Sequence, residues 1–273
     1  MSSFCVLFRL LPIRNMHDFK FSVAVGSIMI DLSRHSVDAF FQAYKNPKAT
    51  LAVVEGFSKA FLDGLIVMFS DNGVDFSNLE NHFNLKYIHC EENVGVWWSN
   101  TTNAFKWLER LMLAINTSKN PYMMILEEDV MIRKRPTDYS ENDMIGPYGN
   151  AWLSKKATEY LVSKNKKLAG KESLNFGGCG GSIFKKSILQ EMGIDNLKRE
   201  TELAPELNVH LVTDCYLSFL IYSSGGTLGK FPSFVETWQE DIWKNAEYSI
   251  VHKYKELYGL ELTEEEKRLI FAS

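Results

Sequence analysis

Three consecutive carboxylates, Glu127-Glu128-Asp129, follow the wholly apolar run 121–126. Carboxylates crowded beside a buried strand repel one another and are costly to desolvate. A divalent cation relieves both effects. Hard oxygen ligands suit Mg²⁺ or Mn²⁺, which take one or two protein carboxylates plus substrate phosphates. Side chains alternate along an extended segment, so Glu127 and Asp129 share a side. The plain alternative is a polar turn at a strand end. Asp214 stands at the predicted start of a helix, where the dipole favours a carboxylate in any case. Ser70-Asp71-Asn72-Gly73 is strong turn chemistry. The run 176–182, with Gly177, Gly178, Gly180 and Gly181 around Cys179, lacks the spacing and the Lys-Ser/Thr of a phosphate-binding P-loop. Its glycines permit a close backbone approach to a ligand, or a bulged hairpin. Trp238, Trp243 and Tyr248 recur near Glu236, Glu240 and Asp241. That mixture suits a sugar, and equally an amphipathic helix.

These groups need a scaffold. Apolar runs at 21–25, 51–54, 65–69, 85–89 and 121–126 read as strands, with a further strand at 4–13 and a short one at 130–132. The stretch 37–44 reads as helical, with Phe40, Phe41 and Tyr44 on one face. The stretch 97–116 is a strong helix, with Ala104, Trp107, Leu108, Leu111, Met112 and Ile115 three to four apart. Helices are also expected at 154–165, capped by Ser154, at 213–222, and after the capping box that Thr263 and Glu266 form. Strands alternating with helices predict an α/β fold around a mixed, mainly parallel sheet flanked by helices. In such sheets ligands bind beyond the carboxyl ends of the strands. That directs attention to the loops after Val25 (with Ser27), Phe69, His89 and Leu126.

The order of these features resembles the nucleotide-sugar half of GT-A glycosyltransferases. Asn93-Val94-Gly95, then Asn103 near the start of a helix, then an apolar strand and Glu127-x-Asp129 follow that family's pattern over roughly 20–235, with Glu in place of the first Asp of its acidic motif. The resemblance implies one GT-A-like catalytic domain over 1–273, with a nucleotide-sugar half at about 20–132 and an acceptor half at about 133–273. It implies that Asp129, Glu127 and a late histidine, His252, hold Mn²⁺ or Mg²⁺. Donor-binding groups would be Ser27, Asp71, Asn93, Gly95, Asn103, Glu127 and Glu128, with Asp71 meeting the base. Gly178, Gly180, Gly181 and Trp238 would border the acceptor and donor sugar. Asp214 would be the general base of an inverting transfer, with His210 a weaker competitor. The chain also resembles the compact, anchor-free glycosyltransferases of large algal viruses.

The expected function is therefore metal-dependent transfer of a sugar from a nucleotide diphospho-sugar, a UDP-sugar first, to a glycan or glycoprotein hydroxyl. A retaining enzyme of the same fold and a non-catalytic nucleotide- or sugar-binding module stay open. So do a nucleotidyltransferase, although 26–29 lacks the basic residue usual there, and a structural protein with a decayed site. Composition limits the rest. The 273 residues carry 30 Lys+Arg against 34 Asp+Glu, a net charge of -4, and 45% are hydrophobic. That excludes a largely disordered chain and argues against a nucleic-acid partner. The four cysteines, Cys5, Cys90, Cys179 and Cys215, form no Cys-x-x-Cys pair, and reduced thiols are expected. No run approaches the ~20 apolar residues of a membrane span or forms a secretory signal, so a cytoplasmic protein is expected. The sequons at Asn100 and Asn116 are then chance matches.

Overall fold

A computed structural model describes residues 29–149 and 151–271. The strands expected at 4–13 and 21–25, and Ser27, lie outside these residues.

Four strands run parallel in one half of the central sheet. They are β1 (Val37–Gln42), β2 (Ile66–Phe69), β3 (Leu85–Ile88) and β4 (Tyr122–Leu126), in the spatial order β3-β2-β1-β4. β5 (Val130–Ile132) leaves this sheet. β6 (Met144–Gly146), β7 (Ile183–Lys185) and β8 (Leu228–Lys230) extend it beyond β4 in the order β7-β6-β8. β7 is antiparallel to both its neighbours, and β8 is parallel to β6. The sheet is thus mixed and mainly parallel, as expected. β9 (Phe234–Glu236), β10 (Ile250–His252) and β5 make a small second sheet in the order β9-β10-β5.

Helices cover both faces of the large sheet. α1 (Pro47–Ala60) packs on one face through Leu51, Val54 and Phe57, with Phe41, Met68, Met124 and Leu126 beneath. α2 (Thr101–Thr117), α3 (Lys155–Lys164), α5 (Ile194–Leu203) and α6 (Thr213–Ser223) cover the other, over Phe40, Val67, Phe69, Met123 and Ile125. Short α4 (Lys186–Met192), α7 (Glu240–Trp243) and α8 (Glu264–Ile270) complete the chain. Adjacent residues of one strand therefore feed different cores, which explains apolar runs without a polar side.

That double burial corrects two expectations. Residues 37–44 contain strand β1, not a helix: Phe40 and Phe41 point to opposite cores. Residues 51–54 lie inside α1, not in a strand. Pro47 in its first turn supplies the start signal. The α2 stripe Ala104, Trp107, Leu108, Leu111, Met112 and Ile115 is buried as expected, but the helix starts at Thr101 because Asn100 caps it through the Thr102 N–H at 3.0 Å. Ser154 caps α3, and the Thr263/Glu266 capping box opens α8. Cys90, Cys179 and Cys215 are free thiols. Among the described residues no helix is long and apolar enough to cross a membrane.

Candidate metal centre and adjoining cavity

The carboxyl ends of β1, β2 and β4 open onto one region. After β4 the chain turns sharply, with the Val130 N–H on the Glu127 carbonyl at 3.1 Å, and enters β5. β5 pairs antiparallel with β10, so that Val130 faces His252, and the Tyr254 N–H closes on the Asp129 carbonyl at 2.9 Å. This register delivers the histidine to the acidic turn. His252 Nε2 lies 3.1 Å from Glu127 Oε2 and 3.3 Å from Asp129 Oδ1. One ligand atom from each of the three residues falls within 4.8 Å of the others.

His252 is 5% exposed and Asp129 8%. Burial alone would depress the His252 imidazole, but Cys179 and the carboxylates of Asp129 and Glu127 hold it well above the ordinary histidine range. Burial pushes the Asp129 carboxyl up, and His252 with Lys255 more than reverses this. Lys255 Nζ sits 3.5 Å from Asp129 Oδ2. Cations therefore already gather where a metal would sit. Two carboxylates and one imidazole in reach of a single point fit Mn²⁺ or Mg²⁺ with open positions left for a substrate oxygen.

On its far side, His252 Nδ1 is buried without a hydrogen-bond partner among the described residues, 3.8 Å from Glu236 Oε1. The parallel pairing of β9 with β10 sets Glu236 opposite His252. Lys253 follows in a left-handed conformation, φ 68°, with its ammonium 2.5 Å from Glu236 Oε1. Glu236, Lys253 and Asp214 line a polar cavity of about 270 Å³ with Pro147, Phe176 and Gly177. Asp214, in the first turn of α6, has its pKa pushed up to about 6 by burial and then by the Glu127 charge.

Other expected site residues fall elsewhere. Glu128 points away from its neighbours. It accepts the N–H groups of Tyr44 (2.7 Å) and Asn46 (3.2 Å), the Asn46 side-chain amide and the Thr50 hydroxyl, and so anchors the loop that leads into α1. The sharp turn at 127–130 carries it to the side opposite Glu127 and Asp129. Asp71 is 2% exposed and its carboxylate is fully engaged. It accepts the N–H groups of Val94 and Gly95 (2.5 and 2.9 Å) and the Gln42 amide, and it pairs with Arg110 Nη1 at 2.7 Å. It fastens the Asn93-Val94-Gly95 loop. Asn93 is exposed and Asn103 half-buried in the first turn of α2.

Gly178, Gly180 and Gly181 are buried against protein. A Cβ on Gly178 would fall 2.8 Å from the Asp214 carbonyl, and one on Gly180 2.7 Å from Val130 and 3.0 Å from Glu127. Their absence of side chains lets the loop pass between the acidic turn and the head of α6. Trp238 is 61% exposed, with the ammonium groups of Lys253 and Lys255 over its ring. His210 is exposed. Sequence reasoning missed Glu236 as a neighbour of His252, together with Lys253, Lys255 and Cys179. All four reach the site through pairings of three-residue strands or a packed turn, which leave no periodic signal. Arg110 was missed as well, although a charge beside the apolar stripe of α2 was a signal for it.

No family model matches the chain, and no curated protein matches it. Among solved structures it is similar to the galactosyltransferase LgtC in complex with donor and acceptor sugar analogues, at 13% identity over 86% of this chain and 100% of that one, TM-score 0.49. It is also similar to the apo form of the glycosyltransferase GlyE of Streptococcus pneumoniae TIGR4, at 9% identity over 86% and 59%, TM-score 0.44. A third is the bifunctional IspDF of Campylobacter jejuni, at 15% identity over 72% and 49%, TM-score 0.37. At these values the likeness is one of overall arrangement, and the functional reading stands on the site itself.

Proposed function

We propose that the protein is a metal-dependent glycosyltransferase that moves a sugar from a nucleotide diphospho-sugar to a glycan hydroxyl. The observation that carries this reading is the convergence of Glu127, Asp129 and His252 beside a cavity into which Asp214 projects. Glu127, Asp129 and His252 would hold Mn²⁺ or Mg²⁺, which when bound supplies Lewis-acid stabilisation of a departing diphosphate. Asp214 takes the proton of the acceptor hydroxyl as that oxygen attacks the anomeric carbon from the face opposite the diphosphate, giving inversion. A base with a pKa of about 6 is ionised at neutral pH yet remains a better proton acceptor than an ordinary aspartate. Glu236 and Lys253 orient hydroxyls in the cavity. In this reading the strands up to β5 serve the nucleotide and the later ones the acceptor. Asn93 and Asn103 contact the nucleotide, and Asp71 and Glu128 position the loops rather than the donor. UDP-sugars are the donor class to test first.

The test is sugar transfer from UDP-sugars with Mn²⁺, by wild type, Asp129→Ala and Asp214→Asn. Transfer by wild type alone supports the reading. Unchanged transfer by Asp129→Ala would remove the metal assignment, and by Asp214→Asn the base.

A further inference from the structure

At the opposite end of the sheet, the amino end of β4 and the carboxyl end of the antiparallel β7 border a second and larger cavity of about 650 Å³. Tyr122 lines it, at the other end of β4 from Leu126 and so about 13 Å from that end of the strand, where the acidic turn begins, at 3.3 Å per residue. Four lysines line this cavity, Lys119, Lys167, Lys185 and Lys186, against Asp143 and Glu191. In a chain of net charge -4 this is a local excess of positive charge.

Two of these lysines are buried, Lys185 at 5% and Lys186 at 4% exposure. Buried ammonium groups are tolerated only when their charge and protons are matched. Here they are under-matched. Asp143 is shared by Lys185 (2.8 Å), Lys167 (3.2 Å) and the Thr227 N–H (3.0 Å). One carboxylate therefore faces two ammonium groups. Among the described residues Lys185 Nζ has that single acceptor, which leaves two of its three protons unused. Lys186 Nζ donates to Ser118 Oγ (2.9 Å) and to Asp38 Oδ2 (3.3 Å), but Asp38 already accepts from the N–H groups of Leu65 and Asn120.

The geometry points to a binding site for a phosphate-bearing anion in this cavity, held by Lys185, Lys186 and Lys167. A tetrahedral oxyanion supplies several acceptors and more than one negative charge, which is what the shared Asp143 lacks. The volume leaves room for an organic group attached to the phosphate. This site stands apart from the proposed active site and does not rest on that reading.

The experiment is calorimetric titration with inorganic phosphate and, separately, ribose 5-phosphate, at constant ionic strength in EDTA so that the acidic turn holds no metal. Wild type should bind at least one of them saturably at millimolar concentration. Tighter binding of ribose 5-phosphate identifies a phosphomonoester ligand, and equal binding identifies free phosphate. Lys167→Ala, a largely exposed side chain, should weaken binding about tenfold, the scale of one charge-assisted hydrogen bond. The double variant Lys185→Met/Asp143→Asn removes both charges of the buried pair and should abolish binding, with circular dichroism checking its fold. No saturable binding of either probe to wild type would overturn the proposal. So would equal binding by wild type and the folded variants.

Discussion

His252 Nε2 lies 3.1 Å from Glu127 Oε2 although 125 positions separate the two residues. With Asp129 they form a pocket of two carboxylates and an imidazole. The carboxylates make His252 hold its proton more tightly than a free histidine, and a metal bound through Nε2 must displace that proton. Mn²⁺ affinity should therefore rise with pH, and His252→Ala should weaken it by at least tenfold. Titration with Mn²⁺ by electron paramagnetic resonance at two pH values measures both. A pH-independent affinity would count against His252 as a ligand.

Asp214 ties activity to stability. Its pKa is raised to about 6 from an ordinary 3.8, so the folded state holds the proton more tightly than the unfolded chain. The stabilisation this gives is present at low pH and is lost as pH rises from about 4 to 6. At neutral pH the ionised group is a net burden of about 1–3 kcal/mol. Asp214→Asn should consequently raise the thermal midpoint of the metal-free protein at pH 7.5 while lowering kcat by ~10²-fold or more with donor binding retained. Wild-type activity should fall as pH drops below about 6. A less stable, fully active variant would refute both roles.

The Asp71–Arg110 pair is buried on both sides, with side chains 4% and 11% exposed. Arg110→Ala leaves a buried carboxylate without its counter-charge and should destabilise the fold by about 3 kcal/mol. Because Asp71 holds the Val94 and Gly95 N–H groups, the same change should raise the donor KM more than it lowers kcat. Urea unfolding together with steady-state kinetics reads the two effects. Lost donor affinity at unchanged stability would instead mark Asp71 as a direct ligand.

Gly180 packs directly against the acidic turn. A Cβ there would press on Val130 at 2.7 Å and Glu127 at 3.0 Å. Gly180→Ala should destabilise by about 1–3 kcal/mol and weaken Mn²⁺ binding by displacing Glu127. Calorimetric titration of the variant decides it, and wild-type Mn²⁺ affinity would show that the turn absorbs the methyl without moving Glu127.

Legibility in the sequence followed periodicity. The α2 stripe and the run 121–126 were plain; Glu127 and Asp129 do share a side, but a tight turn rather than strand alternation puts them there. β1 was not legible as a strand, because a strand buried on both faces shows no alternation and Phe40, Phe41 and Tyr44 mimic a helical face. The apolar run 51–54 carried the opposite error, and Pro47 was the overlooked signal. Glu128 and Asp71 were expected at the donor because the resemblance to GT-A enzymes implies it. Their backbone partners 82 to 84 and 23 to 24 residues away are tertiary facts. Glu236 and Lys253 depend on three-residue strands, too short to announce themselves.

The most direct measurement is a thermal-shift panel of UDP, GDP, CMP and dTDP, each with and without Mn²⁺, on wild type and Asp129→Ala. A ligand at ~100 times its dissociation constant adds about 2.7 kcal/mol of stability. The expected result is a shift with one nucleoside diphosphate, UDP first, that requires Mn²⁺ and vanishes in Asp129→Ala. No shift with any nucleotide, or one indifferent to Mn²⁺ and to Asp129, would contradict the assignment of Glu127, Asp129 and His252 as the metal centre of a nucleotide-sugar enzyme.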